Sequence, residues 1–230
     1  MQARSARTRN KLVRAGAELF DRKGYAQATL VQIAESAGLT KGALYFHFAS
    51  KDALVDDIQE QAQTLLREFA HTHEQRGTPP VQTLIDLTHL LARTLQQDPV
   101  VRASFRIAHE GAGRHPSIAD FHNPWMTEAL TLLEQAREQH RIREPQPHGR
   151  AEVLLSTLIC GIGVLAAAES PHLELGRGVA ELWAQLLPTL VPDDDIDCYR
   201  TWPPQPDTTR TPALRDLGTP APHTSTHDAA

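Results

Sequence analysis

Thr29 to Lys51 reads TLVQIAESAGLTKGALYFHFASK, and this stretch decides the fold. Thr29 with Gln32 three residues on is a capping box, a reciprocal pair that satisfies the free N–H groups at a helix start. Leu30, Ile33, Ala34 and Ala37 follow at helical spacing, so the spacing predicts a short helix. Gly38 then supplies a residue that takes a positive φ without steric cost, which puts a tight corner at Ala37 to Leu39. Thr40 caps a second helix whose Leu44 and Phe48 share the inward face at i and i+4. Thr40, Lys41, Gly42, Ala43, Tyr45 and His47 are left outward. The stretch reads as a helix-turn-helix.

That outward face suits DNA. Small residues admit close approach to a groove, Lys41 offers a phosphate contact, Tyr45 and His47 offer stacking or hydrogen bonds, and Ala43 can touch a thymine methyl. Two short helices about a glycine corner also occur in all-α proteins that never meet DNA, and charge separates the two readings. Residues 1–51 carry nine Lys and Arg against three Asp and Glu, a net of +6, which leaves −11 for the rest of a chain whose total is −5. A basic head on an acidic body places one end on phosphate and keeps the other off it.

Composition fits a cytoplasmic regulator. At 230 residues and 40% hydrophobic, the chain can bury a full core in one large domain or in a small plus a medium one. Met1 to Lys11 is basic and polar without an apolar segment, unlike a signal peptide. Two cysteines, Cys160 and Cys198, are too few for a disulfide framework. No internal repeat is visible.

Outward from the motif, Met1–Ser5 is expected to be a loose arm, followed by a helix to about Lys23 with Leu12, Ala15, Gly16, Leu19 and Phe20 inward. Ser50 with Asp52 starts a helix expected to run to about His73, its apolar positions interrupted by Gln59, Gln61 and Gln63. His71 and His73 diverge on such a helix and make a poor metal pair. Arg76–Pro80 is a break, with Thr78 as cap and Pro79 in the first helical position. Leu84, Ile85, Leu87, Leu90, Leu91 and Leu95 mark the next helix. Asp98 and Pro99 start another, and a further one restarts near Pro124 with Trp125, Leu130, Leu132, Leu133 and Ala136. Between these last two, Gly111–Pro116 reads as a loop, and Arg137–Gly149 reads as a connector. Val153–Ala168 is the most apolar run, too short and too interrupted by Ser156, Thr157 and two glycines to span a membrane, and is expected to be a helix buried all round. Val179, Leu182, Trp183, Leu186, Leu187 and Leu190 form one committed face of a last helix, which Pro188 is expected to bend or end early. Val191–Ala230, rich in Pro, Thr and Asp, reads as a disordered tail.

The body carries little legible chemistry. It has no glycine-rich phosphate loop, nucleophile elbow or zinc-spaced Cys and His set, so no enzyme, metal or cofactor is expected. His109, Glu110, His115 and His122 form a loose cluster read as solvated or capping groups.

The run from Thr8 through Ala15, Leu19, Phe20, Gly24, Tyr25, Thr29, Ile33, Ala34, Ala37, Gly38, Lys41, Gly42, Leu44, Tyr45, His47, Phe48, Lys51 and Leu54 resembles the N-terminal domain of the TetR family of one-component repressors. FDRKGY at Phe20–Tyr25 and TKGALYFHFASK at Thr40–Lys51 resemble the γ-butyrolactone autoregulator receptors of antibiotic-producing filamentous bacteria. The resemblance implies an all-α chain with a three-helix DNA-binding domain at 1–51, a ligand-binding and dimerisation domain at 52–192 and a tail at 193–230. It implies a homodimer built on the last two helices, with partners limited to double-stranded operator DNA and a small diffusible signal of butyrolactone, butenolide or furan type, and no membrane. Thr29, Lys41 and Lys51 would fix position on the backbone, while Thr40, Gly42, Ala43, Tyr45 and His47 approach the bases and their flanking phosphates. The helix after the motif would act as a lever from which Gln61 or Gln63 reaches a pocket. Trp125, core by periodicity, stands where those receptors carry a tryptophan that covers the lactone, and Thr157 and Cys160 would offer polar contacts to the ligand. A regulator of the same family that answers to a drug or a fatty acyl group, and an all-α lactone hydrolase, are the alternative readings.

Overall fold

The computed structural model describes residues 2–111, 124–143, 149–168 and 174–203, and these are all helix, turn and extended connection, without a strand among them. Among the described residues nine α-helices follow one another: α1 (Gln2–Gln27), α2 (Leu30–Ser36), α3 (Lys41–His47), α4 (Lys51–Gln75), α5 (Pro80–Gln97), α6 (Pro99–Gly111), α7 (Pro124–Glu138), α8 (Arg150–Ala167) and α9 (Leu175–Leu190). A 3-10 turn at Asp193–Cys198 comes last.

Two apolar cores hold them. The head core joins Leu12, Leu19 and Phe20 of α1 to Ile33, Leu44, Phe48, and Leu54, Val55 and Ile58 of α4. It also takes Val100, Ala103 and Ile107 from α6, so it draws on helices well beyond residue 51. The body core surrounds α5, of which every residue from Pro80 to Ala92 is buried, with α7, α8 and α9 packed about it. Helices α4 and α6 enter both cores and tie head to body.

Local chemistry sets the element ends. The Thr29 hydroxyl accepts the Gln32 N–H and the Gln32 side chain accepts the Thr29 N–H, both at 3.3 Å. Gly38 turns the corner at φ 66°, and the Thr40 and Ser50 hydroxyls accept from Ala43 and Ala53 at 3.1 and 3.0 Å. Gly24 interrupts α1 at φ 77° and ψ 166°, close to the expected end at Lys23. The start of α1 differs from expectation. It is helical from Gln2, because no proline or glycine stands between Gln2 and Val13 to oppose a run of Arg, Ala and Lys. Helix α5 begins one residue later than expected, at Pro80. Pro79 precedes a proline and is driven to ψ 142°, so it becomes the cap, and Thr78 makes no cap bond.

Three further corrections concern the body. Helix α8 is not buried all round: Leu155, Leu158, Ile159 and Ile162 face the core, while Val153 and Val164 are 65% and 62% exposed. By length and mean hydropathy it is also apolar enough to cross a membrane, despite Ser156, Thr157 and its glycines. Pro188 does not stop α9: the helix runs to Leu190, where Leu187, Leu190 and Val191 are all buried and hold the last turn in place of the missing N–H bond. The chain after α9 is tied back to the body, against the expectation of a disordered tail from Val191. Its Arg200 guanidinium bonds both oxygens of the buried Asp86 at 2.8 and 3.1 Å, and Gln82 bonds the Arg200 backbone from both sides. Residues 112–123, with His115 and His122, and those beyond 203 lie outside the described residues.

Candidate nucleic-acid interface and ligand cavities

The short helix α3 projects from the head with Leu44 and Phe48 sealed inward, so its remaining faces are free by geometry. Thr40, Lys41, Gly42 and Tyr45 are exposed, and Ala43 and His47 half-buried. The Lys41 ammonium lies 5.6 Å from the Tyr45 ring centroid, which puts a cation and an aromatic edge on one surface. Thr29 stands exposed at the start of α2, its hydroxyl used by the cap. Phe46 was missed by sequence reasoning. It is 81% exposed and packs edge-on to His47 with centroids 5.1 Å apart, and its exposure follows once Leu44 and Phe48 are fixed inward.

Arg9 was also missed. It donates to both Asp57 oxygens at 3.0 and 2.8 Å, donates to the His47 carbonyl at 3.3 Å, and lies 4.6 Å over the Phe48 ring. One guanidinium therefore ties α1, the C-terminus of α3 and α4. Lys51 is differently placed from the other expected DNA residues. Its ammonium packs 4.0 Å from the Tyr25 ring centroid, and burial lowers its pKa. The Tyr25 hydroxyl donates to Asp52; burial and that carboxylate push the phenol up to about 12.

The head is joined to the body by charge. Arg102 donates to Asp21 at 2.7 Å, and Arg106 to the Asp21 carbonyl and to Glu110, whose other oxygen accepts the Tyr25 N–H at 3.3 Å. These groups grip the end of α1 beside the Gly24 break, where a side chain would meet the Glu110 carboxylate.

The five expected ligand residues do not converge. Gln63 lines a cavity of about 640 Å³ between α4 and α7, with Gln59, Arg67, Pro124 and Glu128. Gln59 itself is buried and bonded to Ser104, donating to its carbonyl at 3.3 Å and accepting its hydroxyl at 2.5 Å, while burial raises the Glu128 pKa. Cys160 lines a different cavity, of about 550 Å³, between α6, α8 and the end of α1. Trp125 is 1% exposed within the body core, next in sequence to Pro124 of the first cavity. Gln61 is half-buried and lines neither cavity. Thr157 is exposed on the outer face of α8, because the inward positions are taken by Leu155, Leu158 and Ile159, and it lines neither cavity.

Residues 12–58 match the family model for bacterial regulatory proteins of the tetR family, and residues 79–192 match a tetracyclin repressor-like C-terminal domain. The A-factor receptor protein of Streptomyces griseus is 34% identical over 193 residues; the match takes in 82% of this chain and 66% of that protein, just under two thirds of its length. Among solved structures, a gamma-butyrolactone receptor described as ArpA-like is 32% identical with a TM-score of 0.70, and CprB from Streptomyces coelicolor A3(2) is 34% identical with a TM-score of 0.71. Both superpositions cover 86% of this chain and 95% of the other. CprB has also been solved in complex with its biological operator sequence, at 35% identity and a TM-score of 0.68. With its capped head, its α5-centred body and matches over both parts, the chain belongs to the TetR family of bacterial regulatory proteins.

Proposed function

We propose that the protein is a homodimeric, ligand-responsive transcriptional repressor of the cytoplasm, binding no metal and catalysing no reaction. The observation that carries the reading is the outer face of α3, where Thr40, Lys41, Gly42 and Tyr45 stand exposed on a helix whose inner face is wholly committed. One α3 from each subunit enters successive major grooves of a near-palindromic operator, roughly 34 Å apart. Thr29 and Lys41 fix position on phosphate with Lys51 behind them, while Thr40, Ala43, Tyr45 and His47 meet the bases and their flanks. Dimerisation uses the exposed apolar positions of α8 and α9, Val153, Val164, Leu165 and Leu182.

The likeness to butyrolactone and A-factor receptors supports a ligand of butyrolactone, butenolide or furan type and targets among antibiotic-biosynthesis genes. The site proposed for it is the space between α4 and α7, reached by Gln63 and closed near Trp125; a contact from Cys160 requires movement of α8. A ligand that prefers the non-binding form by about 2.7 kcal/mol lowers operator affinity a hundredfold. The test is a gel shift on DNA upstream of the protein's own gene, with and without a panel of these compounds. Release by one of them is the expected result, with Trp125→Phe retaining the shift and weakening release. A shift that none of them touches removes the lactone assignment and leaves a regulator of drugs or fatty acyl groups.

A further inference from the structure

The first acidic residue of the chain is Glu18, and before it stand Arg4, Arg7, Arg9, Lys11 and Arg14. A helix surface that is merely solvated mixes both signs, whereas the first turns of α1 carry one sign only. Arg9 is engaged inside the head by Asp57 and the His47 carbonyl. The other four recur at i, i+3, i+7 and i+10, which puts them in one stripe along α1, and all four are exposed. Arg14 has the exposed Glu18 at 3.4 Å, while Arg4, Arg7 and Lys11 meet no carboxylate among the described residues. The apolar side of the same helix, with Leu12, Val13, Leu19 and Phe20, is buried in the head core. With no apolar face left to lay on lipid, the stripe suits a polyanion in water and not a membrane surface.

Two anchors fix where the stripe leads. At one end of α1, Asp21 is held by Arg102 and Arg106 of α6; at the other, Arg9 reaches the carbonyl of His47, the last residue of α3. From Arg9 to Asp21 is about 18 Å of helix. Helix α1 therefore runs from the body to the end of α3, and residues 2–8, about 10 Å, continue past it on the side away from the body. Along the axis Arg7 stands about 3 Å beyond Arg9 and Arg4 about 8 Å beyond it, while Lys11 and Arg14 lie on the body side. Around the axis the stripe is opposite Arg9, so α1 itself stands between the stripe and α3. A helix diameter of about 10 Å is close to the major-groove width of about 12 Å, so with α3 in the groove Arg4 and Arg7 fall on the backbone that borders it.

We propose, resting on the reading of α3 as the groove helix, that the protruding start of α1 is a second DNA-contacting element, in which Arg4 and Arg7 bind phosphates of the strand bordering that groove. In a dimer this adds four contacts that carry no sequence information. They raise affinity for any duplex and steepen its dependence on salt, and they leave the choice of operator to α3. The same groups act before α3 is seated, holding the head on DNA through phosphate alone while it moves along the duplex.

The test compares two double variants of the full chain that remove the same charge, Arg4→Gln with Arg7→Gln and Arg14→Gln with Arg22→Gln, by anisotropy across a range of salt. One duplex is DNA from upstream of the protein's own gene, and the other is a scrambled sequence of the same length. All four arginines are exposed and outside both cores, so both variants should melt as wild type. The expected result for the Arg4 and Arg7 variant is a log–log salt slope shallower by about 3 to 4, roughly 0.9 for each of four lost contacts, with affinity down roughly tenfold or more on both duplexes. The Arg14 and Arg22 variant should keep the wild-type slope to within about 1. Equal slopes for wild type and the Arg4 and Arg7 variant overturn the proposal, and so does an equal loss in the two variants, the mark of a diffuse charge effect. Failure of the α3 reading looks different: wild type then binds the two duplexes alike, while the Arg4 and Arg7 variant still loses slope on both. A wild type that binds neither duplex overturns both.

Discussion

Head and body are both helical, yet the caps that shape the head are local while the buried polar groups of the body are met from far along the chain. In the head, the hydroxyls of Thr29, Thr40 and Ser50 each accept an N–H three residues ahead. In the body, Asp86 meets Arg200 across 114 residues, Trp183 donates to Thr88 across 95, and Gln59 meets Ser104 across 45. Local pairs organise a small unit that displays one short helix. Distant pairs knit a larger unit around α5, whose polar residues Gln82, Thr83, Asp86, Thr88 and His89 are buried along with its apolar ones. The head displays α3 on short-range caps, and the cavities are lined mainly by helices of the body.

The sharpest way to break this contrast is to cut the core of the head. Leu44→Ala removes a fully buried side chain and should cost about 3 kcal/mol, seen as an early loss of helicity on heating. Next comes a long-range polar link. Asp86→Ala strands Arg200, Gln82 and His73, and since Arg200 is partly exposed the cost should be about 2 kcal/mol; hydrogen exchange should show Tyr199 to Thr201 losing protection while the head keeps its own. A local device costs less: Thr40→Ala loses one cap bond, about 1 kcal/mol by thermal unfolding, confined in hydrogen exchange to α3. Smallest is the exposed pair of Arg14 and Glu18 at 3.4 Å, where Glu18→Gln should shift stability by about 0.3 kcal/mol and lose that effect in high salt. If Asp86→Ala proved as mild as Glu18→Gln, the contrast between the two regions would fail.

These distances explain what is legible in the sequence. Capping boxes, a corner glycine and i, i+4 apolar pairs are short-range signals, so α2, α3, the corner and the inward positions Leu44 and Phe48 can be read from the amino-acid sequence alone. A head feature that cannot is Arg9 bridging His47 and Asp57, which spans 38 and 48 residues. In the body, periodicity locates the helices but not their surroundings. An apolar run such as Val153–Ala168 looks the same whether it is sunk in a core or lies on a surface awaiting a partner, and α8 does part of each. Composition points to disorder after Val191, because the bonds that order this segment come from Gln82, Asp86 and His89, more than 100 residues earlier. The expected ligand residues scatter for a related reason: spacing places a residue on a helix face but does not say which cavity the face meets.

The most direct test of the central claim is an anisotropy titration of DNA from upstream of the protein's own gene, at several salt concentrations, with wild type and Lys41→Ala. The account predicts tight, steeply salt-dependent binding by wild type and its loss in Lys41→Ala, whose melting temperature is unchanged because Lys41 is exposed and outside both cores. Equal binding by the two proteins would contradict the assignment of α3 as the helix that meets DNA.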